Sequence, residues 1–376
     1  MGKEESLRLF VQQVVEPNRQ SALSAFDPYF HANKEKWSSD FILSFQQYCR
    51  TIRERQIRGE KGRIGHITFS MLRTEIADGR FAYLVEATDA SWILDQNPCR
   101  TRYDADWALY DLDKLELQLV QESRQYMGNV TVVDLERQRL LDSIYFHHYV
   151  IELIRYAMPR AVQLHEFIEL EKEEQFEVRV GEYMDTSEVV YQEASPNYHS
   201  EDVKEWLQEK NDYEYAYSAF AELDLSNGEY SKLDLRFSTF RDCTLSSSNF
   251  EEAVLVGTRW KECQLAGANF SYALLHGADL SGCDLSDATF RNSEGCSGFL
   301  HAKKDRPSFS GVNFSRANLT GANFAGASLR GAQFIDAQLE RTRFVGADLT
   351  GAIFSEHQAG DVLLDESQRK GVIWRT

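Results

Sequence analysis

"SGVNFSRANLTGANFAGASLRGAQF", residues 310–334, carries Phe or Leu at every fifth position. A buried strand face repeats every two residues and a helix face every 3.6. On a helix, five residues turn the chain by ~500°, so each large residue lies ~140° from the last. On a strand, five is odd, and successive large residues point to opposite faces. A chain that bends every five residues satisfies the spacing, because each short side then points its Leu or Phe to one interior.

The pattern extends in both directions. Large positions run from Leu225 through Phe250, Phe270 and Phe290, break, and resume through Phe314 and Phe334 to Phe354. Leucine and aromatic residues alternate, so the pattern repeats every second side and needs an even number of sides. Two such sides enclose almost no interior and six leave a hole. A coil of four five-residue sides is predicted, with Phe250, Phe270 and Phe290 in one column and Leu225, Leu245 and Leu265 in another. The residue two before each large one is small, as a tight corner requires. Cys243, Cys263 and Cys283 occupy that place and are expected to form an internal column. No histidine or further ligand completes a metal site there, and free Cys packs as a small hydrophobe. Glycine recurs two residues after the large one, where a corner can need positive φ. Neighbouring coils are expected to pair at ~4.8 Å, with stability coming from their stacking.

Residues 225–354 resemble the pentapeptide-repeat family, whose consensus A(D/N)LXX is legible in "GANFAGASLRGAQF" and "GADLSGCDLSDATF". The resemblance implies a right-handed quadrilateral parallel β-helix, a solenoid. It also implies a kind of partner. Some members resemble a DNA duplex in width and charge, bind DNA gyrase, and protect it against its inhibitors. That role predicts a strongly acidic outer wall, whereas residues 222–356 hold 17 acids and 13 bases.

The spacing from Phe290 to Phe309 is not a multiple of five, and "RNSEGCSGFLHAKKDRPS" (291–308) breaks the code. The simplest solution places Phe309 on the side after Phe290, with the surplus chain looped out. Phe299, Leu300, Lys303, Lys304 and Arg306 give this loop a basic and apolar tip on an acidic chain. It is the candidate partner-binding loop, set against a tolerated surface insertion. The end, "DVLLDESQRKGVIWRT", is expected to close the last coil with Val362, Leu363, Leu364 and Trp374.

In residues 1–210 the periods become ordinary and predict an α+β domain. Residues 38–57 and 104–127 read as helices. "GHITFSMLRTEI" and "RFAYLVEATD" read as strands joined through Ala77-Asp78-Gly79. Asp134 is placed to cap a long helix running to Ala157 and stopped by Pro159. "QFEVRVGEY" and "EVVYQE" read as two more strands. His148 and Glu152 are four apart on that long helix, and His165 follows, a candidate metal set. No HExxH pattern, nucleotide-binding glycine motif, GxSxG elbow or kinase signature is present. The expected organisation is an α+β domain over 1–210, repeats over 211–356 with the insertion at 291–308, and a cap over 357–376.

Composition limits function. The net charge of −18 over 376 residues argues against direct nucleic-acid or acidic-membrane binding. Of the acids, 16 lie between His165 and Phe220, against 4 bases. No apolar run approaches the ~20 residues of a membrane span, and the charged start of the chain predicts no secretion signal. Six cysteines without a CxxC pair predict reduced thiols and a cytoplasmic protein. The reading is a protein with no catalytic residues and no cofactor that binds a protein partner through a rigid surface, with a homodimer as a further expectation. The alternatives are a DNA mimic acting on gyrase and an N-terminal enzyme with the repeats as docking arm.

Overall fold

The computed structural model describes residues 2–193, 198–211, 215–300, 304–360 and 362–376. The chain forms two compact units. One is Met1–Gln192 together with His301–Pro307, and the other is Glu193–Leu300 with Ser308–Thr376.

In the first unit, α1 (Lys3–Phe10) passes through a π-helical turn into α2 (Glu16–Ile57). Helix α2 is twice the expected length and carries Pro28 in its interior. Its buried stripe of Phe26, Phe30, Trp37, Phe41, Phe45 and Ile52 explains why it persists through the proline. The following elements are β1 (Ile64–Met71), α3 (Arg73–Ala77), β2 (Ala82–Thr88), β3 (Cys99–Asp104), α4 (Asp106–Ser123), α5 (Val132–Ala161), α6 (His165–Ile168), β4 (Lys172–Glu182) and β5 (Ser187–Gln192). The strands form one sheet in the order β3-β2-β1-β4-β5, parallel between β1 and β4 and otherwise antiparallel. Ile67, Phe69, Val85, Val178 and Val180 pack with α2 and α5 in one core.

Three local expectations change. Residues 73–77 are a short helix between β1 and β2, not the end of a strand. The cap of α5 is Thr131, whose hydroxyl accepts from the Asp134 N–H while the Asp134 side chain answers the Thr131 N–H. Helix α5 runs through Pro159 to Ala161. A proline in the last turn removes only one N–H from a ladder about to end.

In the second unit the repeats form layers. Single-residue parallel bridges join each layer to the next, such as Asn249 to Asn269 and Asn269 to Thr289. The Phe250 N–H donates to Asn269 O at 2.7 Å, and the Phe270 N–H to Thr289 O at 2.7 Å. The closed right-handed quadrilateral parallel β-helix implied by the family resemblance is not what the structure has. Regular strands here are short and open. Among the described repeat residues they are β6 (Ala219–Ala221), β7 (Thr239–Arg241) and β8 (Arg259–Lys261) in one parallel sheet, and β9 (Ile353–Ser355). The solenoid of continuous sheets gives way to single bridges for a local reason. From Asn227 to Asn292, and again from Arg316 to Gly351, every fifth residue is left-handed, and such a residue ends an extended run.

The large side chains fill the interior. Phe250, Phe270 and Phe290 stack with centroids 5.2 and 4.8 Å apart, and Phe290 continues onto Phe324 at 4.7 Å. Phe314, Phe334 and Phe354 form a second stack at 5.3 and 4.7 Å. Leu225, Cys243, Cys263 and Cys283 are buried.

The two ends of the layers are covered. Val203 and Leu207 of α7 (Ser200–Gln208) join the core at the start, with Tyr215, whose hydroxyl donates to Trp206 O. Phe220 is buried in the same core, and residues 212–214 lie outside the described residues. At the far end α8 (Glu366–Gly371) leads into β10 (Ile373–Arg375), which pairs with β9, and Trp374 lies 5.7 Å from Phe354. Val362 is buried there, whereas Leu363 is exposed. Gln358 and Gln368 each donate through the side-chain amide to two carbonyls of the last layers, Phe334 O and Ala337 O, and Phe344 O and Ala347 O.

Candidate functional site

The insertion changes the register without breaking the layers. Asp279 bridges Asn313, Asp284 bridges Asn318 and Glu294 bridges Ser328. The sequence offset between stacked partners thus rises from 20 at Asn249 and Asn269 to 34 at Asp279 and Asn313, and the difference is chain that leaves the layer. The layer itself continues past Phe290. Ser293 is buried in the small-residue place, and Gly295 stands where a large residue is due. Val312 fills the space. A Cβ on Gly295 would lie 2.6 Å from Val312 Cγ1. Phe309, expected on that side, is half-buried and packs 6.3 Å from Phe237 instead.

Phe299 is half-buried and Leu300 exposed, both in the repeat unit. Lys303 lies outside the described residues. Lys304 and Arg306 belong to the N-terminal unit, where residues 304–307 meet three elements. Lys304 Nζ donates to Ser24 Oγ of α2 at 2.7 Å. His148 Nδ1 of α5 donates to Asp305 O at 2.8 Å. Arg306 Nη1 lies 2.8 Å from Glu188 Oε1 of β5. Pro307 is buried.

The helix α5 presents this seat because of its spacing. His148, Glu152 and Arg155 are four and three apart and share one face. Arg155 donates to Glu152 at 3.2 Å and to Glu188 at 2.9 Å, and Lys34 pairs with Glu152 at 3.5 Å. Burial pushes the Glu188 carboxyl up, but Arg155 and Arg306 outweigh it and bring its pKa down to about 2. Burial, then the charge of Arg306, lowers the pKa of His148. The adjacent His147 faces the core, 2.7 Å from the Tyr83 hydroxyl, and burial lowers its pKa to about 3. Both imidazoles are therefore neutral near pH 7.

The candidate metal set is not assembled. His148 is committed to the insertion backbone, Glu152 to Lys34 and Arg155, and His165 is exposed beside Glu169 at 3.3 Å. Among the described residues no cluster of three metal-ligating side chains exists. All six cysteines are free and buried. The pKa of the Cys243 thiol is raised by its hydrogen bond with Cys263 and by burial. Ser24, Arg155 and Glu188 were missed by sequence reasoning, since nothing local marks a strand glutamate as the partner of an arginine so distant.

Comparison with known proteins bears on the repeats alone. The pentapeptide repeat region family matches residues 215–290, and the family of pentapeptide repeats (8 copies) matches 308–344 and 317–355. No curated protein matches the chain. Among solved structures, a trypsin-treated variant of QnrB1, a plasmid-mediated fluoroquinolone resistance protein, is 20% identical over 44% of this chain and 75% of its own, with a TM-score of 0.28. A pentapeptide repeat protein from Nostoc PCC 7120 is 24% identical over 30% of this chain and 84% of its own, with a TM-score of 0.19. One from the Arabidopsis thaliana thylakoid lumen is 24% identical over 44% of this chain and 77% of its own, with a TM-score of 0.12. At such identities and scores the likeness lends no function to this chain.

Proposed function

We propose that this chain, whose residues 215–355 are a pentapeptide-repeat region, binds another protein through the outer walls of that region and catalyses no reaction. The observation that carries the reading is the filled interior. Phe250, Phe270, Phe290, Phe324 and their neighbours are buried in stacked columns, which leaves the outer walls as the surface on which a partner can act. Those walls are already ordered. The Asn269 side chain donates to Asn249 Oδ1 at 2.9 Å, and Asn313 and Asn318 donate to Asp279 and Asp284, each at 2.9 Å. Side chains held before contact lose little entropy on binding.

The test is site-specific photo-crosslinking in the native host, with the reactive residue at exposed Tyr272 and Arg330 of the repeats and, for contrast, at exposed Tyr110 of α4. A discrete protein adduct at the repeat positions and none at Tyr110 is expected. Adducts confined to Tyr110, or none anywhere, reject the reading.

A second reading, which rests on the pentapeptide-repeat resemblance of residues 215–355, is that the partner is DNA gyrase and that the chain protects it against inhibitors. QnrB1 is described as a fluoroquinolone resistance protein, and the same role is carried to this chain as a proposal. A supercoiling assay with a fluoroquinolone, comparing intact protein with a variant lacking residues 297–310, tests it. Rescue of supercoiling supports gyrase, and no effect of either form rejects it. Among the described residues no helix is long and apolar enough to cross a membrane.

A further inference from the structure

We infer that the N-terminal unit contains a binding site for an extended, arginine-bearing peptide segment, and that residues 304–307 of the insertion occupy it in cis. Three consecutive residues of the segment are each held by a different element of the unit. Ser24 of α2 takes the Lys304 ammonium, His148 of α5 takes the Asp305 carbonyl, and Glu188 of β5 takes the Arg306 guanidinium. Pro307 is buried beside them. A merely tolerated insertion has no need to be held at successive residues. Reading a backbone carbonyl together with flanking side chains is how extended peptides are recognised.

The chemistry selects arginine. Glu188 is mostly buried, with 18% of its side chain exposed, and one oxygen is already taken by Arg155 at 2.9 Å. The other oxygen faces the incoming guanidinium. Arg155 and Lys34 balance Glu188 and Glu152, so the resident charges are even without the segment. The seat therefore needs no cation for its own neutrality and is free to exchange one guanidinium for another. The inference stands whether or not the repeats bind a partner.

The intact protein holds the segment at an effective concentration in the ~mM range, so a competing peptide binds it poorly. The experiment uses the full-length protein with residues 301–307 replaced by a Gly-Ser linker of equal length. The probe is a fluorescein-labelled peptide of residues 300–309, LHAKKDRPSF, followed by anisotropy. Saturable binding is expected, at least about tenfold weaker to the intact protein. Losing one charge-assisted hydrogen bond is worth about tenfold or more. Binding should therefore weaken by at least about that factor when the peptide's arginine is replaced by alanine, or when Glu188→Gln is added to the protein. Absence of binding by a linker variant that keeps its far-UV circular dichroism, or equal binding of the alanine peptide, overturns the inference. Should the linker variant not fold, protease sites placed on either side of residues 300–309 in the otherwise intact chain decide the matter. Native mass spectrometry should find the cut segment retained and displaced by excess peptide. Its immediate loss overturns the inference equally.

Discussion

Arg306 of the insertion and Glu188 of β5 lie 2.8 Å apart, Nη1 to Oε1, though far separated along the chain. The insertion thus has a fixed destination. It shifts the repeat register, and part of its length is used inside the N-terminal unit.

Acid should weaken the N-terminal unit before it weakens the repeats. His147 has its pKa lowered from 6.5 to about 3 by burial. Between those values the unfolded chain binds a proton that the folded chain does not. Stability is therefore complete above pH 6.5 and is lost as pH falls toward 3, by at most about 1.4 kcal/mol per pH unit. Glu188 adds to the loss below pH 4.5, since its folded pKa is about 2. Urea midpoints followed by tryptophan fluorescence should fall from pH 7 to 4.5, and His147→Gln should flatten the fall. A midpoint independent of pH over that range contradicts a neutral buried His147.

The left-handed corners predict unequal effects of alanine and glycine. Gly282 has φ of 71° and open space around its Cβ position, so Gly282→Ala should cost about 1 kcal/mol through backbone strain alone. Glu262 sits at the equivalent corner with φ of 55°. Glu262→Gly should leave stability within about 0.5 kcal/mol, because relief of strain offsets glycine's greater entropy loss. Thermal unfolding of the two variants checks this.

Gly295 and Val312 should behave as one unit. Gly295→Leu restores the large residue the repeat calls for, but collides with Val312, whose Cγ1 would lie 2.6 Å from the new Cβ. A loss of about 1–3 kcal/mol is expected from overpacking. Adding Val312→Ala should recover most of it, and chemical denaturation of the single and double variants would show additive losses if the two sites were independent.

The closing amides carry a testable load. Gln368 donates to Phe344 O at 2.7 Å and to Ala347 O at 2.9 Å. Gln368→Ala removes both bonds, leaving Phe344 O with only the Ala347 N–H at 3.0 Å, and should cost about 1–3 kcal/mol. Hydrogen exchange of residues 344–354 should rise in the variant while exchange near Phe250 stays unchanged.

Much of the repeat region was legible because its code is local. Five-residue spacing, small residues before the large ones and glycine after them are all read within one short window. The left-handed corners follow from the glycines, yet Lys232, Phe237 and Tyr272 adopt the same conformation without one. That regularity also keeps the strands very short, which the family resemblance alone did not convey. Gly295 hid the continuation of the layer, because the large residue that marks a side is absent and its volume comes from Val312. In the N-terminal unit the expected helix began only at residue 38, so the front of α2, with Pro28 in its interior and a continuous aromatic stripe, was missed. The seat of the insertion was illegible, since Ser24, His148 and Glu188 meet only through the tertiary fold.

A double-mutant cycle on Arg306→Ala and Glu188→Gln, read by urea denaturation of the full-length protein, tests most directly that the insertion is part of the N-terminal unit. A coupling energy above about 0.5 kcal/mol is predicted for side chains in direct contact. Strictly additive losses would place Arg306 away from Glu188 in solution and contradict the account.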